Sequence, residues 1–343
     1  MKAKRSSKFL IEQSQAGPFL GPLALYTMSD LLTQAVRGNR RDVFSRYGER
    51  PSYGFKERFV RYTLRASSYF TVFITLSIVF VLVVDASEFF ARASFIKFVT
   101  GTEWLPFGEP KKLGVLPLLI GTVMIALGSS VVAIPIGLGI ALFLTQYTSR
   151  RFQRFMGPVL EVLGGIPTVV YGFFALVTLT PILKYIFTSI DTFNALSAAI
   201  VVGLATIPMV ASLSADALQV VPSSIRNAGY ALGMSKFHVV TRIMVPAAFS
   251  GIVASFLLAF ARAVGETMAV SIAAGSTPGM SFDYLKSIQT MTAFIVQISM
   301  GDTPAGSIEY YTIYAIGITL FVLTFAFNFA ATAIIRKFRE VYQ

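Results

Sequence analysis

Residues 113–149 read LGVLPLLIGTVMIALGSSVVAIPIGLGIALFLTQYTS, with no charge between Lys112 and Arg150. A helix needs roughly 20 apolar residues to cross a bilayer, so this run is more than long enough. Pro117 and Pro135 lie inside it and predict a bent start and a kink. Working outward, charge-free gaps of the same character recur at 66–84, 162–183, 192–215, 243–261 and 310–335. The fifth stays apolar to about Ala274. Six such stretches predict an all-α, polytopic membrane protein with six transmembrane helices.

Composition agrees. Of the 343 residues, 13% are charged and 55% hydrophobic, whereas a soluble domain carries about 25% charged residues. The net charge of +12 does not point to nucleic acid, because the basic residues flank apolar runs rather than forming a stripe. The chain has no cysteine and a single histidine, His238. Disulfides and thiolate sites are therefore excluded, and neither a metal nor another cofactor is expected. No Gly-x-x-x-x-Gly-Lys-Ser/Thr loop is present, so nucleotide would bind elsewhere. An intramembrane protease lacks its constellation: there is no Cys nucleophile, the lone His238 lies outside the spans, and no intramembrane Asp pair occurs.

Lysine and arginine set the orientation. Arg150, Arg151 and Arg154, then Arg226, Lys236 and Arg242, then Arg336, Lys337 and Arg339 sit near span ends on one side. That side is expected to be cytoplasmic, with both termini on it. The long loops 85–112 and 275–310 then face outward, each long enough to meet an outside partner. Residues 1–64 form a basic cytoplasmic segment, with an interfacial helix at 18–33 and a connector at 34–64 that lies on anionic lipid or on a partner. The permease domain is expected over 65–340.

The segment after the fourth span runs Val221-Pro222-Ser223-Ser224-Ile225-Arg226-Asn227-Ala228-Gly229-Tyr230-Ala231-Leu232-Gly233. Pro222 and Ser223 suit a helix start, Gly233 a left-handed stop, and Ser235 the cap of a second helix. Helix, glycine turn and helix are predicted over 222–240, with Ala228 and Gly229 leaving room for a partner's cleft. The spacing of Asn227-Ala228-Gly229, Gly233, Ile243 and Pro246 resembles the EAA signature of ABC importer permeases. In that signature Asn227 stands where a glutamate is usual, and Gly229 replaces the second alanine. The resemblance implies a type I permease fold and a coupling helix, with Asn227, Ala228, Gly229, Leu232 and Gly233 docking into a cytoplasmic ATPase. An ordinary surface loop is the alternative.

The fifth span contains Arg262-Ala263-Val264-Gly265-Glu266-Thr267-Met268-Ala269-Val270. Four residues apart, Arg262 and Glu266 are expected to share one helical face. Charges in a membrane face the bundle interior or a wet cavity. The pair is either a permanent structural bridge or an anion site, in which the arginine fork matches phosphate oxygens and Glu266 neutralises Arg262 when the site is empty. The stretch resembles the signature of PstC-type permeases of the phosphate-specific transport system. Thr100-Gly101-Thr102-Glu103-Trp104, Gly114-Val115-Leu116-Pro117 and Glu161–Gly172 resemble that family's first outer loop, second span and third span.

The family implies translocation roles for Arg262 and Glu266, and Thr267 beside them is a candidate hydroxyl donor to phosphate, or a packing residue. The family also implies a PstA-type permease partner, two PstB-type ATPases that bind the ATP, and a PstS-type phosphate-binding protein outside. Thr168 and Tyr171 are further hydroxyl donors for phosphate, or packing residues. Gly164, Gly165 and Pro167, with Pro208, are expected to interrupt the third and fourth spans. They either expose backbone donors or serve packing. Glu161 reads as a cap or interface charge and His238 as a surface contact. A permease for another oxyanion and a secondary transporter are the other functional classes.

Overall fold

Backbone groups that meet lipid must be satisfied within their own segment, and residues 55–337, which the computed structural model describes, are mostly helical. Helix α1 (Phe55–Arg92) leads to the short α2 (Phe95–Thr100) and a hairpin of β1 (Trp104–Leu105) and β2 (Lys112–Leu113). The strands are antiparallel, with Trp104 opposite Leu113. Then follow α3 (Leu116–Leu142), α4 (Arg150–Gly165), α5 (Thr168–Phe174), α6 (Thr180–Ile186) and α7 (Ala195–Val220). The second half holds α8 (Ser223–Ala231), α9 (Lys236–Val239), α10 (Val245–Ala247), α11 (Phe249–Val264), α12 (Met268–Ala273), α13 (Met291–Met300) and α14 (Ile308–Lys337). The chain forms two units divided between Ile74 and Thr75. The described part of the first, residues 55–74, is helical with mostly exposed side chains. The packing and the sites described below belong to the second.

Among the described residues, five helices are long and apolar enough to cross a membrane: Glu57–Arg92, Leu116–Tyr147, Thr168–Ile186, Ala195–Val220 and Ile308–Ala333. A sixth is the bent pair Lys236–Ala247 and Phe249–Val264, whose halves meet at 71°. Several boundaries differ from the charge gaps. The first helix begins at Phe55 rather than near residue 66, because charged side chains are tolerated on a helix outside the apolar stretch. The third span begins at Thr168, not at 162: Pro167 forces Ile166 out of the helical region, to ψ 127°. Residues before it belong to the amphipathic α4. Pro208 does not interrupt the fourth span, since α7 is continuous through it. Two residues earlier, the Thr206 hydroxyl donates to the carbonyls of Val202 and Gly203, at 2.9 Å each. Three π turns, Phe143–Tyr147, Ala175–Leu179 and Val240–Met244, went unread in the sequence. The interfacial helix expected at 18–33 lies outside the described residues.

Helix α7 is the most enclosed span, and α3 packs along it through small residues that let backbones approach. A Cβ added at Gly203 would fall 2.7 Å from Val132 Cβ and 2.9 Å from the Ser129 carbonyl oxygen. The central core joins Met124 and Ile125 of α3, Val201 and Val202 of α7, Val264 of α11 and Val270 of α12. Between α7 and α11 the buried hydroxyls of Ser214 and Ser255 lie 2.8 Å apart.

At the hairpin end, Phe89, Phe98, Trp104, Leu118, Phe294 and Ile316 form a second cluster. Lys111 pairs with Glu309 there, and Arg92 donates to the Gly306 carbonyl at 2.9 Å. The loop before α13 is tied down as well. Asp191 N–H donates to Leu285 O, Leu196 N–H to Tyr284 O and Ile288 N–H to Ala274 O. The Tyr284 hydroxyl donates to the Met124 carbonyl at 2.9 Å. Burial pushes that phenol's pKa up.

Candidate functional site

The charged stretch of the fifth span is not one helix. Helix α11 stops at Val264, with Gly265 as its C-cap, and α12 starts at Met268. Arg262 and Glu266 therefore do not share a helical face, and the expected ion pair between them is absent. Among the described residues the Arg262 guanidinium takes part in no ion pair or hydrogen bond. It is exposed, in the last turn of α11, where the helix dipole favours a cation. The Glu266 carboxylate turns to its own chain and accepts from Ala269 N–H at 3.3 Å. The Thr267 hydroxyl donates to the Gly265 carbonyl at 3.2 Å. The three residues thus surround a break, with the cation on one side and the carboxylate holding the other.

Helix α5 lies against this break. A Cβ on Gly172 would come within 3.0 Å of the Ala269 Cα. The second break in the chain, Ile166-Pro167, opens directly onto α5. Across it the Tyr171 hydroxyl donates to the Leu163 carbonyl at 3.1 Å, satisfying a backbone acceptor at the end of α4. Thr168 is half-buried, while Gly165 and Glu161 are exposed.

The linker from α8 to α10 has a second kind of surface. Helix α8 ends in a Schellman arrangement: Met234 N–H donates to Gly229 O at 3.2 Å and Gly233 N–H to Tyr230 O at 3.0 Å. Gly233 takes φ +76°, a left-handed value that favours glycine. Ser235 caps α9, and its hydroxyl lies 2.8 Å from His238 Nδ1. Asn227, Ala228, Leu232, Gly233 and His238 are exposed. Gly229 is not on that face. It is buried, and a Cβ there would fall 2.5 Å from Ile243 Cδ1, so its smallness serves internal packing rather than a partner's approach. Val239, Val240 and Met244 pack the linker onto Ala141, Leu218 and Ile252, and Lys236 Nζ lies 4.9 Å from the centre of the Tyr147 ring. The linker is therefore seated on the ends of α3, α7 and α11.

Sequence reasoning missed Thr292, whose buried hydroxyl donates to the Glu266 carbonyl at 2.8 Å. The capping threonine Thr290 ahead of an apolar run marks the start of α13 but not the partner that Thr292 finds. It also missed the Ser214–Ser255 contact, which no local pattern announces.

Residues 133–340 match the family model of binding-protein-dependent transport system inner membrane components. A probable ABC transporter permease protein of Bacillus subtilis (strain 168), YqgH, is 35% identical over 235 residues, covering 68% of this chain and 75% of that one. The phosphate transport system permease protein PstC of Mesorhizobium japonicum is 31% identical over 247 residues, 66% of this chain and 74% of its own. PstC 1 of Mycobacterium tuberculosis is 30% identical over 281 residues, covering 72% and 83%. Among solved structures, a bacterial ABC transporter involved in the import of the acidic polysaccharide alginate superposes with TM-score 0.58 at 13% identity, over 83% of this chain and 99% of that one. The inward-facing methionine transporter MetNI gives TM-score 0.53 at 16% identity, over 66% and 96%. At such identities the likeness establishes the fold alone, the type I ABC importer permease fold. The chain belongs to the binding-protein-dependent transport system inner membrane components, and is a multi-pass, non-catalytic permease subunit of an ABC importer that couples to a separate ATPase.

Proposed function

We propose that this chain is the PstC-type subunit of a phosphate importer. In this reading it pairs with a PstA-type permease, a dimer of PstB-type ATPases and a PstS-type phosphate-binding protein, with both termini cytoplasmic. The permease domain spans 65–340 and the coupling helices 222–240. Asn227, Ala228, Leu232 and Gly233 meet the ATPase, and Gly229 supports their shape from within. Arg262, Glu266 and Thr267 form this chain's part of the anion path.

The observation that carries the reading is Arg262. A guanidinium on a membrane span, exposed and without a partner among the described residues, is costly unless a partner subunit or a passing anion meets it. At an effective dielectric constant of about 20, a unit charge 4 Å away gains about 4 kcal/mol. That offsets part of the desolvation of an entering phosphate without trapping it. The fork also suits phosphate oxygens better than an ammonium does. The PstC proteins named above, which are phosphate transport permeases, support the choice of anion.

The test is phosphate uptake by the reconstituted complex carrying Arg262→Gln or Arg262→Lys, with assembly followed by co-purification. Uptake is expected to fall at least about tenfold in Arg262→Gln, a loss of about 1.4 kcal/mol, and less in Arg262→Lys. Normal uptake by a normally assembled Arg262→Gln complex would overturn the assignment of this residue. Competition by sulfate or molybdate as effective as by phosphate would move the substrate to another oxyanion.

A further inference from the structure

Between α11 and α12 the backbone leaves helical pairing, and the carbonyl of Glu266 is held from outside by the Thr292 hydroxyl at 2.8 Å. Thr292 is 5% exposed and stands in the first turn of α13. That turn is fixed twice more. Met291 N–H donates to the Thr122 hydroxyl of α3 at 3.0 Å, and Gln289 O lies where a Cβ on Gly121 would be, 2.3 Å away. Thr290 caps the helix by accepting from Ala293 N–H at 3.2 Å, and its hydroxyl lies 3.1 Å from that of Thr292. The rest of α13 faces the hairpin end. The Phe294 ring meets Trp104 edge-on with centroids 5.0 Å apart, and Gln297 accepts from Gln289 at 2.5 Å. Trp104, Gln289, Phe294 and Gln297 line a cavity of about 310 Å³ there.

We infer that Thr292 is a positioning residue of the transport path, holding the Glu266 carbonyl and with it the angle between α11 and α12. The inference rests on the role proposed above for Arg262 and Glu266. Thr292 acts through Glu266 and touches no substrate. Among the described residues, its hydroxyl is the polar link from α13 to the break. A shift of α13 therefore reaches the Glu266-Thr267 peptide directly, and the helix joins the hairpin-end cavity to the charged break. The donor matters because a buried carbonyl deprived of its partner must either stay unpaired or turn elsewhere.

Thr292→Val keeps the shape and removes the donor, whereas Thr292→Ser keeps the donor. Thr122→Val loosens α13 from α3 without touching Glu266. Phosphate uptake and ATP hydrolysis are measured for the complete complex with its binding protein in proteoliposomes. Thr292→Val is expected to lower the maximal uptake rate about tenfold. The half-saturating concentration of loaded binding protein should stay unchanged, and ATP hydrolysed per phosphate should rise. Thr292→Ser is expected to return both to near wild-type values. Equal uptake by Thr292→Val and wild type overturns the inference. So does a Thr292→Ser complex as slow as Thr292→Val, or a Thr122→Val complex that reproduces the whole effect, since each assigns the loss to packing. If Thr292→Val does not assemble, Thr292→Ala removes the same donor without bulk and is read by the same outcomes. A wild-type complex that takes up no phosphate removes the proposed function and this inference with it. Transport by wild type and by Thr292→Val alike removes only the inference.

Discussion

The carboxylate of Glu266 accepts from the Ala269 amide, while the same residue's carbonyl accepts from Thr292. Charge and geometry can therefore be separated by substitution. Glu266→Gln keeps an acceptor for Ala269 and loses the charge, so thermal stability of the purified chain is expected to stay at the wild-type value while uptake changes. Glu266→Ala loses both, and stability is expected to drop by about 1 kcal/mol, the usual scale for a lost cap. A melting experiment in detergent checks the pair, and equal melting of all three chains would contradict the capping role. The residue types at this site were legible in the sequence, because charges within an apolar run stand out. Their relation was not. The i,i+4 rule presumes an unbroken helix, and Gly265 ends α11 one residue before Glu266. Thr292 was hidden for the complementary reason, as it meets Glu266 from far along the chain.

At the scale of elements, the linker's two faces give opposite expectations. Leu232 is 82% exposed on the proposed coupling face, and Leu232→Asp removes an apolar contact only if a partner covers it. The substitution is expected to leave the chain's melting temperature unchanged and to abolish co-purification of the ATPase in a pull-down. Retained ATPase binding would move the docking surface away from this turn. The helix–glycine–helix form of the linker could be read from Pro222, Gly233 and Ser235, since each acts on its own backbone. That Gly229 faces Ile243 could not, because the inward face of a short helix is decided by what α3, α7 and α11 leave open beneath it. Proline was a reliable sign only where the chain could extend. Pro167 ends a helix, yet Pro208 and Pro135 lie within α7 and α3, where packing on neighbouring spans holds the backbone helical.

Six apolar runs carried the whole-molecule reading, and the runs follow from bilayer thickness alone. The 71° bend in the fifth span did not, for Ala248 marks no boundary in composition. Orientation is directly testable, because the chain has no cysteine of its own. Phe282 is 72% exposed in the loop before α13, and Leu232 is 82% exposed in the linker. In intact cells a membrane-impermeant maleimide is expected to label Phe282→Cys and to spare Leu232→Cys, with the pattern reversed in inside-out vesicles from cells that lack the ATPase. Labelling of both from one side would break the six-span arrangement.

Trp104 is the chain's one tryptophan, 2% exposed, with its indole N–H unpaired among the described residues and its ring against Phe294 of α13. The purified subunit thus carries a single native fluorophore at the hairpin end. Excited at the red edge, where tyrosine does not absorb, its emission comes from one buried indole. Water admitted there moves the colour to longer wavelength, so the packing of α13 against the hairpin can be watched in real time without a label.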